Sequence, residues 1–437
     1  MSLMPPLVDP AAAPAPRRLA FDGVVFLSPF PWRGCWQTPH YLAQALAELG
    51  SPPGLLITPR PRVQPGAWRA LEPPPAAHQP NRLTLWTLPN WDHRTLRRWS
   101  VEWAARQVTA AARRHGFRQP LLWVFYAKGC SRLVRRLGWP YVYHCLDHFE
   151  FGDPAEQREL AHGAVAVFAA SPLLQREFAA GGIGAHWLPN GVAMPWFSAP
   201  SPPPPRPART RPRIGFAGTV NRHLDYALLL AIARQLPACD LVLLGPAFTA
   251  GMSRPQSRLW RELRRQWNVH RIGFRPAWRL AGYIREWDVA VIPNLTNRWS
   301  QCANPLKLWQ YLALGKPVVA MSTPSLAPHS DVCYLAGSTQ EFVAHIQTAL
   351  AESQSATGRL GGGLAQRRIA RAGAFAWPRI LAQALACLQP TGGPTRLPPG
   401  PGPAAHAATR DAAVSLPIAS RATDPLGSFD SPAPPRS

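Results

Sequence analysis

Acidic residues are scarce in this sequence: Asp and Glu number 23 against 47 Lys and Arg, leaving a formal charge of +24 over 437 residues. The termini do not hold the excess. Residues 1–19 carry +1 (Arg17, Arg18, Asp9) and residues 390–437 carry +1 (four Arg, three Asp), so about +22 falls on the body. Such a body is drawn to anionic lipid, nucleic acid or phosphate-bearing ligands. Cysteine is sparse as well, with seven scattered residues at 35, 130, 145, 239, 302, 333 and 387 and no Cys-x-x-Cys pair. That pattern excludes a disulfide framework or a zinc site and reads as the reduced thiols of a cytosolic protein. There is no run of 18 apolar residues, and MSLMPPLVDPAAAPAPRRLAF has prolines where a signal peptide needs an uninterrupted apolar stretch. Neither a membrane span nor a leader is expected. Zinc-finger, RNA-recognition and helix-turn-helix signatures are missing too, which sets nucleic acid aside as a partner despite the charge.

What is present is a globular composition, 46% hydrophobic, in a chain long enough for two or three domains. Three segments are too rich in proline for packed structure. These are a disordered N-terminal tail, 1–18, a linker, 198–212 (within SAPSPPPPRPARTRPR), and a disordered tail, 390–437. They leave two bodies, 19–197 and 213–389. In the first, FDGVVFLSP, GLLIT, QPLLWVFYA, YVYHCLD and AVAVFAAS read as short strands, with HYLAQALAELG as a helix between the first two. The second repeats the grammar with RPRIGFAG, DLVLLGP, VHRIGF, WDVAVIP and KPVVAMS. Uninterrupted apolar strands alternating with helices predict two consecutive doubly wound α/β domains, with ligands bound beyond the carboxyl ends of the strands in the cleft between them.

One stretch, NPLKLWQYLALGKPVVA from Asn304 to Ala320, reads as a fully punctuated helix. Asn304 is placed to cap it, Pro305 to open it and Gly315 to stop it. Its first turn nonetheless carries Lys307, a cation at the positive end of the helix dipole, which costs a few tenths of a kcal/mol to about 1 kcal/mol unless an anion faces it. Either a ligand supplies that anion or a neighbouring carboxylate does.

The same stretch carries a resemblance. NVHRIGFRPAWRLAGYIREWDVAVIPNLTNRWSQCANPLKLWQYLALGKPVVA resembles the donor-binding domain of GT-B glycosyltransferases of the group 1/family 4 type. It is similar in particular to the branch, including teichuronic-acid-type transferases, whose motif reads N-P-L-K-x-x-E-Y-L-A-x-G-K-P-V-V. IGFAGTVNRHLDY, LVLLGP, WQTPHYLAQALAELG, YVYHCLDHFEF and LPNGVAMPWF support it over residues 20–389. The resemblance implies two Rossmann-like domains facing across a cleft and a nucleotide-diphosphate sugar as co-substrate, bound mainly by the second domain. It also implies a glycan or lipid-linked acceptor on the first domain, hexosyl transfer with retention, and no metal or other cofactor. Cell-surface polysaccharide synthesis on the cytoplasmic side of the membrane is the expected setting. A nucleotide-sugar-binding relative without turnover and a nucleotide-sugar epimerase are the rival readings.

Transfer breaks the bond between an anomeric carbon and a phosphate oxygen, so the departing nucleotide gains negative charge and cations aimed at it lower the barrier. By the resemblance, Lys307 and the segment Asn304, Pro305 and Leu306 face the diphosphate, joined by the GTVNRH loop with Gly218 and Arg222. An exposed surface arginine is the alternative for Arg222. The family's two glutamates, with seven residues between them, fall here on Cys302 and Gln310; the amide of Gln310 can still accept from a ribose hydroxyl. Arg275 lies in the loop that holds the base. On the acceptor side the candidates are Trp36, Gln37, His40 and His144, with Asp147 as a catalytic-centre group or, alternatively, a structural cap. His148 is a weaker candidate. Two basic stretches remain. Residues 86–120 place Leu96, Trp99 and Trp103 on one helical face, and residues 251–280 do the same with Leu259, Trp260, Leu263 and Trp267, so each helix either packs into the core or lies on an anionic membrane.

Overall fold

VVFL is buried at all four positions as β1 (Val24–Leu27), and its alternate side chains part to opposite layers: Val24 and Phe26 to one core, Val25 and Leu27 to another. Only a strand covered on both faces does this, which is why it reads as a continuous apolar run. The computed structural model describes residues 21–32, 35–50, 52–59, 80–85, 97–126, 130–148, 154–199, 211–355 and 362–388. The expected tails at 1–18 and 390–437, and most of the expected linker, lie outside the described residues.

The N-terminal half continues with β2 (Gly54–Pro59), β3 (Asn81–Leu85), β4 (Leu121–Val124), β5 (Tyr141–Cys145), β6 (Ala166–Ala169) and β7 (His186–Trp187). They form one sheet in the order β3-β2-β1-β4-β5-β6-β7. The C-terminal half holds β8 (Arg213–Ala217), β9 (Asp240–Leu244), β10 (Val269–Gly273), β11 (Val289–Ile292), β12 (Val318–Met321) and β13 (Tyr334–Ala336), in the order β10-β9-β8-β11-β12-β13. Every neighbouring pair is parallel. The fold is therefore α/β with two doubly wound sheets, as the sequence predicts; β3, β7 and β13 are additions the patterning did not single out. The strand order reverses between β1 and β4 and again between β8 and β11, and those reversals open the crevices where ligands bind.

One core cluster runs through both halves, from Phe26, Trp123 and Phe168 to Ile292, Trp309 and Ala320. Two others cover the outer faces of the two sheets. Helix Trp377–Cys387 comes back from the C-terminal half to lie against helix Thr38–Leu49, where Trp377 stacks on Tyr41 at 5.4 Å.

Two expectations change. Helix Arg97–Arg114 buries Ser100, Ala104, Ala105, Val108 and Ala112, whereas Trp99 and Trp103 face solvent at 73% and 52% exposure. Its small side chains make the packing face and its tryptophans the outer one; Leu96 lies outside the described residues. In the second stretch Trp260 and Leu263 are core, as helical spacing suggests, while Trp267 is exposed beneath the Arg211 guanidinium. Among the described residues no helix is long and apolar enough to cross a membrane.

Candidate active site

The helix of the NPLK stretch spans Leu306–Leu312, one residue later than expected, and Pro305 is its N-cap rather than its first residue. Asn304 does not cap it. Its Oδ1 accepts from the backbone N–H of Asn190 at 3.1 Å and from Trp309 Nε1 at 3.4 Å, and its carbonyl accepts from Asn190 Nδ2 at 2.6 Å. Thr38 Oγ1 donates to Asn190 Oδ1, so this buried network ties the NPLK turn to the LPNG loop and to the first turn of helix Thr38–Leu49. A seven-residue helix carries a short dipole, and the charge at its start rests on Lys307. Gly315 has φ +66°, and a Cβ there would meet Ala365 at 3.2 Å, so the expected stop is where glycine is needed.

Lys307 is half-buried, and among the described residues no carboxylate pairs with it. The alternative of a neighbouring carboxylate is thereby excluded for those residues. Loss of hydration pulls its ammonium down from 10.5 to about 8. Its Nζ lies 5.4 Å from the centre of the Phe216 ring, and Gly218 (φ +155°) lets its stem lie close, because a Cβ there would come within 3.1 Å of Lys307 Cε. The GTVNRH loop supplies more positive charge. Arg222 Nε approaches His223 Nε2 at 3.4 Å, and the His223 imidazole is lowered to about 4 by burial and then by the fields of Arg222 and Lys307. Arg222 and His223 border a cavity of about 390 Å³ with Ser253, Gln256 and Asn297, and none of the described residues lining it is acidic.

Asp147 joins this group from the other half. The Trp299 ring stacks on His223 at 3.9 Å, and Trp299 Nε1 donates to Asp147 Oδ2 at 3.3 Å. Lys307, Gly218, Arg222 and Asp147 are thus brought together around His223 and Trp299, two residues that sequence reasoning did not single out. The loops after β1 and β8 also meet, since Cys35 hydrogen-bonds Thr219.

The remaining candidates divide. Gln310 is buried and its Nε2 faces the Tyr41 hydroxyl at 3.5 Å, so it joins the halves at a second point. Trp36 is buried among Trp32, Tyr41 and Trp196. Gln37 caps helix Thr38–Leu49, its backbone N–H donating to His40 Nδ1, and burial holds the His40 imidazole down at about 4 against the Trp36 ring. His144 is enclosed by Trp123, Phe125 and Phe168 with Nε2 against the Leu188 carbonyl, so it is core rather than cleft. Arg275 is turned to the Tyr283 hydroxyl, 2.7 Å away, and to the Phe274 carbonyl. Leu306 packs on the shared core. Cys302 points into the N-terminal core with Sγ 3.9 Å from Glu177 Oε1. With His148 these two could share a metal ion, but Arg298 already supplies the counter-charge through its ion pair with Glu177.

The family model of glycosyl transferases group 1 matches residues 211–352, the segment that carries Lys307, Arg222 and Gly218. That segment is similar to the group 1 glycosyl transferases. A Bacillus subtilis protein named as a teichuronic acid biosynthesis glycosyltransferase, TuaH, is 30% identical over 155 residues, 35% of this chain and 38% of that protein. The chain therefore matches well under half the length of that relative. Similar solved structures cover 84% of the chain: a sucrose-phosphate synthase from Thermosynechococcus elongatus (16% identity, 98% of that chain, TM-score 0.61) and Anabaena HepE in complex with UDP-glucose (17%, 99%, 0.59). At such identities they establish architecture, and that architecture is the GT-B fold.

Proposed function

We propose that this protein transfers a hexosyl group from a nucleoside diphosphate sugar to a glycan or lipid-linked acceptor, with retention and without a metal ion, in cell-surface polysaccharide synthesis. The observation that carries the reading is the half-buried Lys307, which loses hydration and meets no carboxylate among the described residues, beside Arg222 and the Gly218 loop in the segment that the family model matches. A cation held in this way wants an anion, and the donor's diphosphate supplies one. As the bond from the anomeric carbon to the phosphate oxygen lengthens, charge accumulates on the phosphate. Lys307 and Arg222 stabilise that charge. Asp147, oriented by Trp299 Nε1, faces the same place from the acceptor half and holds the incoming hydroxyl or the positive charge developing on the sugar. The setting is the cytoplasmic face of the membrane.

UDP-sugars are the first donors to test, because HepE, whose fold this chain shares, was solved with UDP-glucose. A thermal-shift screen of nucleoside diphosphates and their sugars, followed by product analysis with added acceptors, tests the reading. Stabilisation by a diphosphate and release of nucleotide on transfer support it. Stabilisation without any product would favour a binding protein, and indifference to every diphosphate would refute the site.

A further inference from the structure

We propose that the solvent face of helix Arg97–Arg114 docks on a bilayer bearing anionic headgroups. The helix packs on the seven-stranded sheet through Ser100, Ala104, Ala105, Val108 and Ala112. At 100° per residue the direction opposite that face belongs to Trp99, Trp103, Arg106, Ala110 and Arg113, with Arg114 at its margin. All six are exposed. Only five large apolar side chains among the described residues are exposed, and two of them, Trp99 and Trp103, stand one helical turn apart here. Tryptophans left in water at that spacing, interleaved with arginines, match the depth of lipid headgroups: indoles settle at the interface and guanidiniums pair with phosphates.

The charge on this face is available. Arg106 and Arg136 are both committed to Glu102. Arg113 and Arg114 have no carboxylate partner among the described residues. Single-stranded nucleic acid also stacks on tryptophan beside arginine, but it is held in grooves, and this stripe lies on the outer face of a helix. The bilayer is therefore the better match. The surface stands on exposure and charge alone; only its use, offering the cleft to a lipid-linked acceptor, rests on the transferase reading.

The test floats the full chain with vesicles of phosphatidylcholine alone and of phosphatidylcholine with phosphatidylglycerol, with no donor sugar added. Binding is expected only with the anionic lipid and should fade as salt rises. Trp99→Ala with Trp103→Ala, and separately Arg113→Gln with Arg114→Gln, should each weaken partitioning on the order of tenfold. Because all four side chains are exposed, melting temperatures should stay at the wild-type value. Bromine-labelled lipid should quench wild-type tryptophan emission and quench the double tryptophan variant less. Undiminished vesicle binding by the tryptophan variant, equal binding of neutral vesicles, or binding of single-stranded RNA in place of vesicles would each overturn the proposal. Because no outcome involves turnover, failure here leaves the transferase reading intact, and absence of transfer leaves this surface intact.

Discussion

Replacing Lys307 by methionine should move stability and catalysis in opposite directions. The drop of the ammonium from 10.5 to about 8 corresponds to at most about 3 kcal/mol of hydration lost on folding. Methionine keeps most of the volume and leaves no carboxylate stranded among the described residues, while giving up the contact with the Phe216 ring, worth about 0.5–1 kcal/mol. A net gain of up to about 2 kcal/mol follows, which raises Tm by a few degrees. Turnover should fall on the order of tenfold to a thousandfold, and donor affinity by less, because the charge is needed most as the phosphate departs. The pH dependence has a definite sign. Between pH 8 and 10.5 the unfolded chain still holds the Lys307 proton that the folded chain has released, so wild-type stability rises with pH across that window. Diphosphate binding should decline over the same range as Lys307 becomes neutral. Thermal melts and donor titrations from pH 7 to about 10 measure both trends. A methionine variant that melts lower than wild type and keeps full turnover would show that Lys307 is a structural cation and that the diphosphate lies elsewhere.

Three further outcomes can be checked. Gln310→Glu puts a carboxyl in a buried place beside the Tyr41 hydroxyl, so Tm should drop at neutral pH; burial raises the folded-state pKa of that carboxyl, and the deficit should vanish below the unfolded value of about 4.3. A lower donor KM with unchanged Tm would instead place residue 310 on the ribose. Trp299→Phe keeps a ring against His223 but removes the Nε1 donor to Asp147, so kcat should fall on the order of tenfold with little change in Tm; steady-state kinetics that match wild type would detach Asp147 from the reaction. Limited proteolysis should nick the chain between Ser198 and Arg211, yet the fragments should co-elute, because helix Trp377–Cys387 is seated on helix Thr38–Leu49. Fragments that separate without denaturant would contradict that seating.

The sheets were the most legible part of the sequence. Strands such as β1, β4 and β11 are buried at every position, and that uniform burial writes itself as an apolar run, whereas β7, with only His186 and Trp187, and the edge strand β3, largely exposed, leave no such mark. Helical spacing was legible too, but its direction was not. In helix Arg97–Arg114 the tryptophans are far larger apolar surfaces than the alanines, yet the alanines face inward because small side chains let the helix lie close to the sheet.

The candidate site was legible where charge conflicts with local structure and obscure where its partners are distant in the chain. Lys307 at the start of a helix is a local conflict that points to an anion whatever the fold. Asn304 looked like a cap by the same local rules, but its side chain serves Asn190, 114 residues away, and the helix begins later as a result. The same holds for Gln310 with Tyr41, 269 residues apart, and for Trp299 with Asp147, 152 apart. Each of these pairs takes one partner from each half, so they form only where the two sheets have come to face one another. These polar contacts lie beside the core cluster that both halves share and the seating of helix Trp377–Cys387 on helix Thr38–Leu49. Trp299 belongs to both halves of this junction, stacking on His223 within residues 211–352 and donating its Nε1 hydrogen to Asp147 across it.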